Sequence, residues 1–308
     1  MGLTAFPNGV SSFGVPVLGG NDGLVTTGTI FFVDSVTGSN SNSGRDKDHP
    51  FADLATAITN MTAGKGDIAI VMPGHAETIT TTLTPKAGSK IVGLGFGRNR
   101  PVFTAGTGAI DTFTISAANV TLQNIVLVGA ASGNTALIEI SGTYPRFIDL
   151  EIQGAAAPTT LITVSGGADG ALWQNCRFRA AAGTAVGIAI EATAIAPDWL
   201  MLNTYFHGSS VRDIDTAFIQ MSKKSLAGLI INGFYGIGLV GGDNVVGGFD
   251  FNSSTGLVDG LLCNVHIGFD AAITIGEASD LGGMLTSQFF VNDVVTATSG
   301  RFPATTAS

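Results

Sequence analysis

The sequence contains few charged residues. Lys, Arg, Asp and Glu make up only 12% of its 308 residues, about half of the roughly 25% that is usual in soluble proteins. The mean hydropathy is +0.39, so much of the surface is expected to be weakly hydrated. A chain of this kind is expected to cover part of its surface with partner molecules, which favours an oligomer or a component of a larger particle.

Cysteine is also scarce. Cys176 and Cys263 are isolated, and neither belongs to a Cys-x-x-Cys or Cys-x-x-His pair, so the sequence predicts neither a disulfide scaffold nor a thiolate zinc site. Basic residues number 14 against 23 acidic ones, which makes nucleic acid an unexpected partner. No signal-peptide pattern and no apolar run of membrane-spanning length is present, which predicts no membrane insertion and assembly in a cytoplasm.

An internal repeat runs through the second half of the chain. The segments share one pattern, a small or polar residue with apolar residues two positions before it and one and three positions after it, from which only Thr204, Gly233 and Thr286 depart. The segments are LQNIVL (122–127), FIDLEI (147–152), WQNCRF (173–178), MLNTYF (201–206), IINGFY (230–235), VGGFDF (246–251), LCNVHI (262–267) and TSQFFV (286–291). Their polar residues lie between 16 and 29 positions apart, as in coils whose loops differ in length while the strands stay in register.

The residues on each side of the polar position alternate in hydropathy, which is the period of a strand with one buried face. The phase of the alternation shifts across the polar residue, so this residue marks a sharp bend between two strands. Asn, Asp and Gly tolerate the left-handed backbone that such a bend requires. We therefore predict an all-β fold, a single-stranded right-handed parallel β-helix. Its structural turn residues are Asn124, Asp149, Asn175, Asn203, Asn232 and Asn264, and Gly248 and Gln288 occupy the same column.

Further elements are predicted around these coils. A second strand in each coil is indicated by the pairs Ile138/Ile140, Ile162/Val164, Ile188/Ile190 and Ile273/Ile275, and less regular coils are indicated over 68–72, 78–82 and 90–94. A helix over 48–60 is predicted to cap the open end of the solenoid, with Asp48 as N-cap and Pro50 in the first turn. Phe51, Leu54, Ala55 and Ile58 would form its apolar face.

Residues 32–58, FVDSVTGSNSNSGRDKDHPFADLATAI, resemble the entry motif of pectate-lyase-like β-helix proteins. Such proteins occur in bacteriophage virions and among secreted enzymes that act on polysaccharides, so the resemblance implies a fold rather than an activity. Residues 1–28 lie outside it and resemble the apolar arms of phage structural proteins. We predict an extended N-terminal docking arm (1–28), an entry motif with capping helix (29–67), the parallel β-helix (68–295) and a C-terminal tail (296–308).

A polysaccharide lyase of this fold would carry acidic calcium ligands and a basic residue on an outward strand face. The outward position two residues after each turn reads Val126, Glu151, Arg177, Tyr205, Phe234, Asp250, His266 and Phe290. Glu151 would neighbour Arg177 and Asp250 would neighbour His266, since adjacent strands lie about 4.8 Å apart. Either pair could serve in acid–base chemistry, but cross-strand ion pairs are ordinary surface features and neither pair has a second acid beside it. No catalytic residue is assigned, and we expect the chain not to be an enzyme.

Two other groups of residues could bind a metal. His75 and Glu77 share a strand face, but without a visible third ligand a surface turn is the favoured interpretation. Asp34, Asp46 and Asp48 could surround a calcium ion in the entry loop, although turn and capping roles account for them equally well. The sequence leaves calcium open at these three residues, and neither a metal nor another cofactor is assigned.

Outward positions of the coils carry several apolar side chains. The candidates for an oligomer interface are Val126, Ile148, Leu202, Tyr205, Ile231, Phe234 and Phe290. A solitary solenoid is not expected to expose so many, which favours packing against other copies; crossing loops of the same chain are the alternative cover. Phage β-helix proteins, which this chain resembles, bundle three-fold, so a homotrimer is expected.

These features predict a non-enzymatic structural protein of a bacteriophage virion, either a capsid decoration or a head-fibre protein. Its arm would dock on the major capsid protein or another virion protein through Phe6, Pro7, Phe13, Val15 and Pro16. The alternative is a tailspike or tail-fibre protein that binds or cleaves a host surface polysaccharide.

Overall fold

The computed structural model describes residues 11–12, 15–16, 26–106, 110–129, 136–154, 160–179, 184–193, 198–207, 212–221, 228–239, 249–250, 260–269, 285–292 and 300–301. Strands dominate these ranges. They are β1 Ser11–Ser12, β2 Val15–Pro16, β3 Ile30–Val33, β4 Ile68–Val71, β5 Ala76–Ile79, β6 Lys90–Gly93, β7 Val102–Ala105, β8 Phe113–Ile115, β9 Thr121–Gln123, β10 Val126–Val128, β11 Ile138–Ile140, β12 Arg146–Ile148, β13 Glu151–Gln153, β14 Thr160–Val164, β15 Leu172–Gln174, β16 Arg177–Arg179, β17 Thr184–Ala192, β18 Leu200–His207, β19 Arg212–Met221, β20 Leu229–Leu239, β21 Phe249–Asp250, β22 Gly260–Phe269, β23 Leu285–Asn292 and β24 Gly300–Arg301. Helix α1 spans Leu54–Asn60, and a 3-10 turn spans Gly97–Asn99. No helix in the described ranges is long and apolar enough to cross a membrane.

Parallel pairing between successive coils arranges the strands in three sheets. Sheet 1 contains β3, β4, β6, β9, β12, β15 and the first halves of β18, β20, β22 and β23. Sheet 2 contains β5, β7, β10, β13, β16 and the second halves of the same four strands. Sheet 3 contains β8, β11, β14, β17, β19 and β21. The predicted parallel β-helix is confirmed.

The bend between sheets 1 and 2 has the left-handed backbone that the repeat predicts. Its residues have φ between 51° and 55° at Asn124, Asp149, Asn175, Asn203, Asn264 and Gln288. Some of these side chains hydrogen-bond along the axis: Asn175 Nδ2 donates to Asp149 Oδ1 (3.1 Å) and Asn203 Nδ2 to Asn175 Oδ1 (3.4 Å). Short polar side chains therefore serve both the backbone turn and the contact between coils.

The coil at 230–235 is displaced by one residue from the predicted alignment. Met201 pairs with Ile231 and Tyr205 with Tyr235, so Gly233, with φ 75°, occupies the turn and Asn232 does not. Both residues of an Asn-Gly pair accept positive φ, so the local signal cannot choose between them. Burial decides, because this register places the apolar side chains of Ile231 and Phe234 in the core.

The repeat placed segment 246–251 at the bend between sheets 1 and 2, and this prediction is wrong. Phe249 pairs with Ile219 and Asp250 with Gln220, so β21 belongs to sheet 3 rather than to the bend. Val246 and Gly248 lie outside the described residues, as do Ile273 and Ile275. With Gly233 as the turn residue, the neighbouring turn positions Asn203 and Asn264 are 30 and 31 residues away from it (233 − 203 and 264 − 233). These spacings replace the two spacings of 16 residues that the predicted turn positions 232, 248 and 264 would have had.

Stacked aromatic rings fill the core where sheets 1 and 2 face inward. Phe147 stacks on Trp173 with ring centres 4.0 Å apart, and Phe178 stacks on Phe206 at 4.3 Å. Trp199 is also buried, and its Nε1 donates to the Ala168 carbonyl oxygen at 2.9 Å. Because each inward position meets its equivalent one coil away, similar side chains stack into continuous columns.

Helix α1 begins later than the sequence predicts. Its N-cap is Asp53, whose Oδ1 accepts from the Thr56 N–H at 2.7 Å. The predicted N-cap, Asp48, is wrong because Phe51 is already committed to β3: its N–H donates to Phe32 O (2.9 Å) and its carbonyl accepts from Asp34 N (2.8 Å). Leu54, Ala57 and Ile58 are the buried residues of the helix, which covers the end of the core next to β3.

Candidate functional site

The outer face of sheet 2 carries a group of polar and aromatic side chains in register. We call it the sheet 2 row. It consists of Val102, Val126, Glu151, Arg177, Tyr205, Tyr235 and His266 on successive coils, and the backbone of Phe290 continues the register. Tyr235 replaces the predicted Phe234, which faces the core, and Asp250 is absent because it lies in sheet 3. The predicted pair of Asp250 and His266 is therefore wrong.

Glu151 is bound by arginines, but not through the predicted ion pair with Arg177. Its Oε1 accepts from Arg179 Nη1 (2.9 Å) and Gln153 Nε2 (2.8 Å), and its Oε2 lies 3.4 Å from Arg100 Nη1. Partial burial raises the pKa of Glu151, but these hydrogen bonds and the two positive charges outweigh burial and hold the pKa below its usual value. A carboxylate that is ionised and occupied in this way is poorly suited to act as a general acid.

Arg100 is a member of this cluster that sequence reasoning missed. Its Nη2 donates to the carbonyl oxygens of Ile125 (3.1 Å) and Asp149, and its side chain is only 14% exposed. Burial lowers the pKa of Arg100, while Glu151 and Asp149 oppose that shift. Arg100 precedes β7 and lies outside the repeat, so no periodic signal could have connected it with Glu151.

Beyond Arg177, the sheet 2 row becomes a stack of planar side chains. The Arg177 guanidinium carbon lies 5.9 Å from the centre of the Tyr205 ring, Tyr205 stacks on Tyr235 at 5.1 Å, and Tyr235 stacks on His266 at 5.2 Å. The turn residue Asn264 bridges two of them, donating from Nδ2 to the Tyr235 hydroxyl (3.3 Å) and placing Oδ1 3.1 Å from His266 Nε2. Because the rings cover one another's faces, this stack offers mainly edges, hydroxyls and a guanidinium to a ligand.

His75 is buried, which corrects its assignment to a surface turn. The His75 Nδ1 accepts from the Ser35 N–H at 2.9 Å, and its Nε2 lies 3.0 Å from Glu77 Oε2. Since Nδ1 is an acceptor, the proton of a neutral ring lies on Nε2 and is donated to Glu77. The same Glu77 oxygen accepts from the Leu54 N–H at 3.0 Å, so the pair fastens α1 to the first coils.

The three entry-loop aspartates are engaged in local hydrogen bonds. Asp34 accepts from Val36 N (2.9 Å) and Thr37 Oγ1 (2.6 Å), Asp46 accepts from Asp48 N (3.0 Å), and Asp48 pairs with Lys47 (2.5 Å). In the described part of the chain, no group of three or more His, Cys, Asp or Glu side chains is arranged to hold a metal ion. Asp34 and Asp46 therefore have the predicted turn role, whereas Asp48 neither caps the helix nor closes a turn and is paired with Lys47.

The predicted interface residues fall into three groups. Tyr205 is 43% exposed, and Ile148 and Leu202 are partly exposed. Ile231 and Phe234 are completely buried and Val126 is 8% exposed, so their placement on an open outer surface is wrong. The side chain of Phe290 lies outside the described residues.

The residues predicted to dock the arm are described only in part. Phe6, Pro7 and Phe13 lie outside the described residues, whereas the backbone of Val15 and Pro16 forms β2, which pairs with β1.

A second outward row, on sheet 1, was missed. It lies three residues before the turn and consists of Leu172, Leu200, Ile230, Leu261 and Leu285 on consecutive coils. We call it the aliphatic row. Ile230 is 43% and Leu285 is 71% exposed, and the other three side chains are partly exposed. The sequence showed this row only in part. The position three before the turn is aliphatic in these five coils but is Thr121 and Arg146 in the two coils before them, and the displaced register of the coil at 230–235 hid Ile230.

Comparison with known proteins bears on the fold. No protein-family model and no curated protein matches the chain. The structure is similar to a solved structure of a rhamnogalacturonan lyase, with a TM-score of 0.51 and 15% sequence identity over 84% of this chain and 73% of the lyase chain. At this identity the similarity shows the fold alone. The chain is a parallel β-helix of the pectate-lyase-like kind.

Proposed function

We propose that this chain is a non-enzymatic structural protein of a bacteriophage virion, a capsid decoration or head-fibre protein attached by its N-terminal segment. The observation that supports the proposal is the order of the coils. Strand β3 is the first strand of sheet 1, and α1 packs beside it with Leu54 and Ala57 fully buried. Residues 1–25 precede this capped end, so an attached N-terminal segment would leave the sides of the solenoid accessible.

The chemistry of the outer face agrees with a structural role. Glu151, the carboxylate best placed for acid–base work, has both oxygens bound by Arg179, Gln153 and Arg100. Inside the outer face, the buried His75 and the partly buried Glu77 fasten α1. Both groups stabilise contacts between segments that are far apart in the sequence.

The attachment can be tested by deleting residues 1–20. We expect the shortened protein to keep the far-ultraviolet circular dichroism and melting temperature of the full chain but to be lost from purified phage particles, as judged by sedimentation and immunoblotting. A protein lacking residues 302–308 is the matched control and should be incorporated normally. Incorporation of the arm-less protein at the wild-type level would overturn the proposal.

Binding of a host surface polysaccharide is the second candidate function, and the sheet 2 row favours it. Arg177, Tyr205 and His266 present a cation, a hydroxyl-bearing edge and an imidazole along one outer face, and arginine and tyrosine are common in recognition surfaces. If this candidate is correct, Arg177→Ala and Tyr205→Ala will abolish binding to purified host polysaccharide without any change in the polymer's length. Glu139→Ala, in sheet 3, serves as the control. Depolymerisation that disappears with Glu151→Gln would instead indicate an enzyme.

A further inference from the structure

The outer face of sheet 1 is uncharged along five consecutive coils. Its two outward columns there consist of Leu172, Leu200, Ile230, Leu261 and Leu285, and of Gln174, Leu202, Asn232, Cys263 and Ser287. With adjacent strands about 4.8 Å apart, the aliphatic row is about 19 Å long. A continuous row of this kind differs from the scattered apolar residues that any protein surface shows.

The other two faces are charged. Sheet 2 carries Glu151, Arg177 and Arg179 on its outer side. The outward column of sheet 3 reads Thr114, Glu139, Thr163, Glu191 and Gln220, with two acids and no base. The chain as a whole has a net charge of −9, so two copies repel each other unless they meet through a neutral surface.

We propose that the aliphatic row is the surface through which copies of this chain pack against one another, sheet 1 against sheet 1. The face is self-compatible because it contains no charge that would meet its own like in a second copy. The strand spacing is identical in every copy, so the rows of three copies can meet around one axis and their side chains can interdigitate along the whole length. This goes beyond virion attachment and is independent of residues 1–20.

The proposal commits to a second copy rather than to another occupant. A second copy has the same spacing between strands and the same uncharged face, so both features match. A positively charged partner would instead be attracted to the acidic column of sheet 3. A loop of the same chain, or a different virion protein, would leave the isolated protein monomeric, and the experiment separates these cases.

The test is the mass of the purified protein by size-exclusion chromatography with light scattering. We expect the wild type to show a multiple of 31.3 kDa, three-fold for the predicted homotrimer. Leu285→Lys and Ile230→Lys should each yield the single-chain mass with unchanged circular dichroism, since both side chains are exposed in one chain. Val36→Lys and Phe96→Lys, at residues that are 77% and 93% exposed outside the row, are matched controls and should keep the wild-type mass.

The native cysteines provide a second readout that does not depend on mass. Cys263 lies in the outward column next to the row and is partly exposed, whereas Cys176 is completely buried. Alkylation of Cys263 should be roughly tenfold slower in the wild type than in Leu285→Lys, because the assembly must open before the reagent reaches the thiol.

A wild type with the single-chain mass, or a multimer that persists with unchanged Cys263 protection in both lysine variants, would overturn the proposal. Failure of the virion proposal is distinguishable, since it concerns the protein lacking residues 1–20. That protein should assemble like the full chain.

Discussion

Asn175 shows how one side chain serves a bend of the β-helix. Its φ is 55°, its Nδ2 donates to Asp149 and its Oδ1 accepts from Asn203. A left-handed backbone is costly for residues with a Cβ, and Asn is one of the few that adopt it readily. The bend therefore depends on backbone preference first and on side-chain hydrogen bonds second.

Substitutions at Asn175 separate these two contributions. Asn175→Ala should lower the free energy of unfolding by about 1–2 kcal/mol, because it keeps a Cβ and cannot compensate the left-handed backbone. Asn175→Gly should cost less, about 0.5–1 kcal/mol, since only the hydrogen bonds are lost. Urea unfolding followed by tryptophan fluorescence measures both. Asn232→Ala, one position away from the turn in its coil, is the control and should have little effect; equal costs for the Ala and Gly variants of Asn175 would contradict the explanation.

At the scale of elements, the short helix α1 depends on its cap and on contacts with distant strands. Asp53 caps it through Thr56, and Glu77 of β5 accepts from the Leu54 N–H. Glu77 in turn contacts the buried His75, which accepts from Ser35. A helix of 7 residues has little stability alone, so these polar links and the buried apolar face hold it in place.

Asp53→Ala should destabilise the protein by about 1 kcal/mol, the usual effect of losing an N-cap. Partial burial raises the pKa of Asp53, but hydrogen bonds from Thr56 and Asn40 bring the pKa below the ordinary 3.8. The contribution of Asp53 is thus present above pH 3.8 and is lost as the pH falls through the lower, folded-state pKa. Thermal unfolding of both proteins at pH 7 and pH 3 measures it. Asp48→Ala should leave the stability unchanged. An effect as large as that of Asp53→Ala would instead support Asp48 as the N-cap of the helix.

At the scale of the whole molecule, most contacts of a solenoid join one coil to the next, so groups that span several coils have special weight. Arg100, just before β7, reaches past the coil of β10 to Glu151 of β13, which also binds Arg179 of β16. Arg100 is the more enclosed of these two arginines, with 14% exposure of its side chain against 38% for Arg179. Removing its counter-charge would leave a partly buried cation without its carboxylate partner.

Glu151→Gln should therefore lower the free energy of unfolding by about 2 kcal/mol at pH 7, the range for hydrogen bonds to charged groups. Because the pKa of Glu151 is lowered in the folded protein, its stabilisation is present above the unfolded value of 4.5 and disappears as the pH falls through the folded value. The difference between wild type and variant should thus shrink on acidification, as measured by denaturant unfolding at pH 7 and pH 3. Glu139→Gln, in the outward column of sheet 3, is the control; a difference that does not depend on pH would contradict this account.

The sequence repeat predicted the fold well because the bend has a strict local requirement. Alternating apolar residues around Asn124, Asp149, Asn175, Asn203 and Asn264 identified their coils without ambiguity. The prediction failed where two adjacent residues satisfied the same requirement, at Asn232 and Gly233. It failed again at Phe249, where a short apolar segment fitted the pattern of the bend and belonged to another sheet.

The sequence by itself determined the β-helix, its inward columns and the scarcity of charge, because each follows from the period and type of neighbouring residues. Only the tertiary structure decided which residues meet on the outside. Arg100 reaches Glu151 across 51 positions, His75 is buried under the entry loop, and five aliphatic residues 24 to 31 positions apart form one row. The physical reason is that stacking fixes contacts between coils through loop length and register, and neither is encoded in the local pattern.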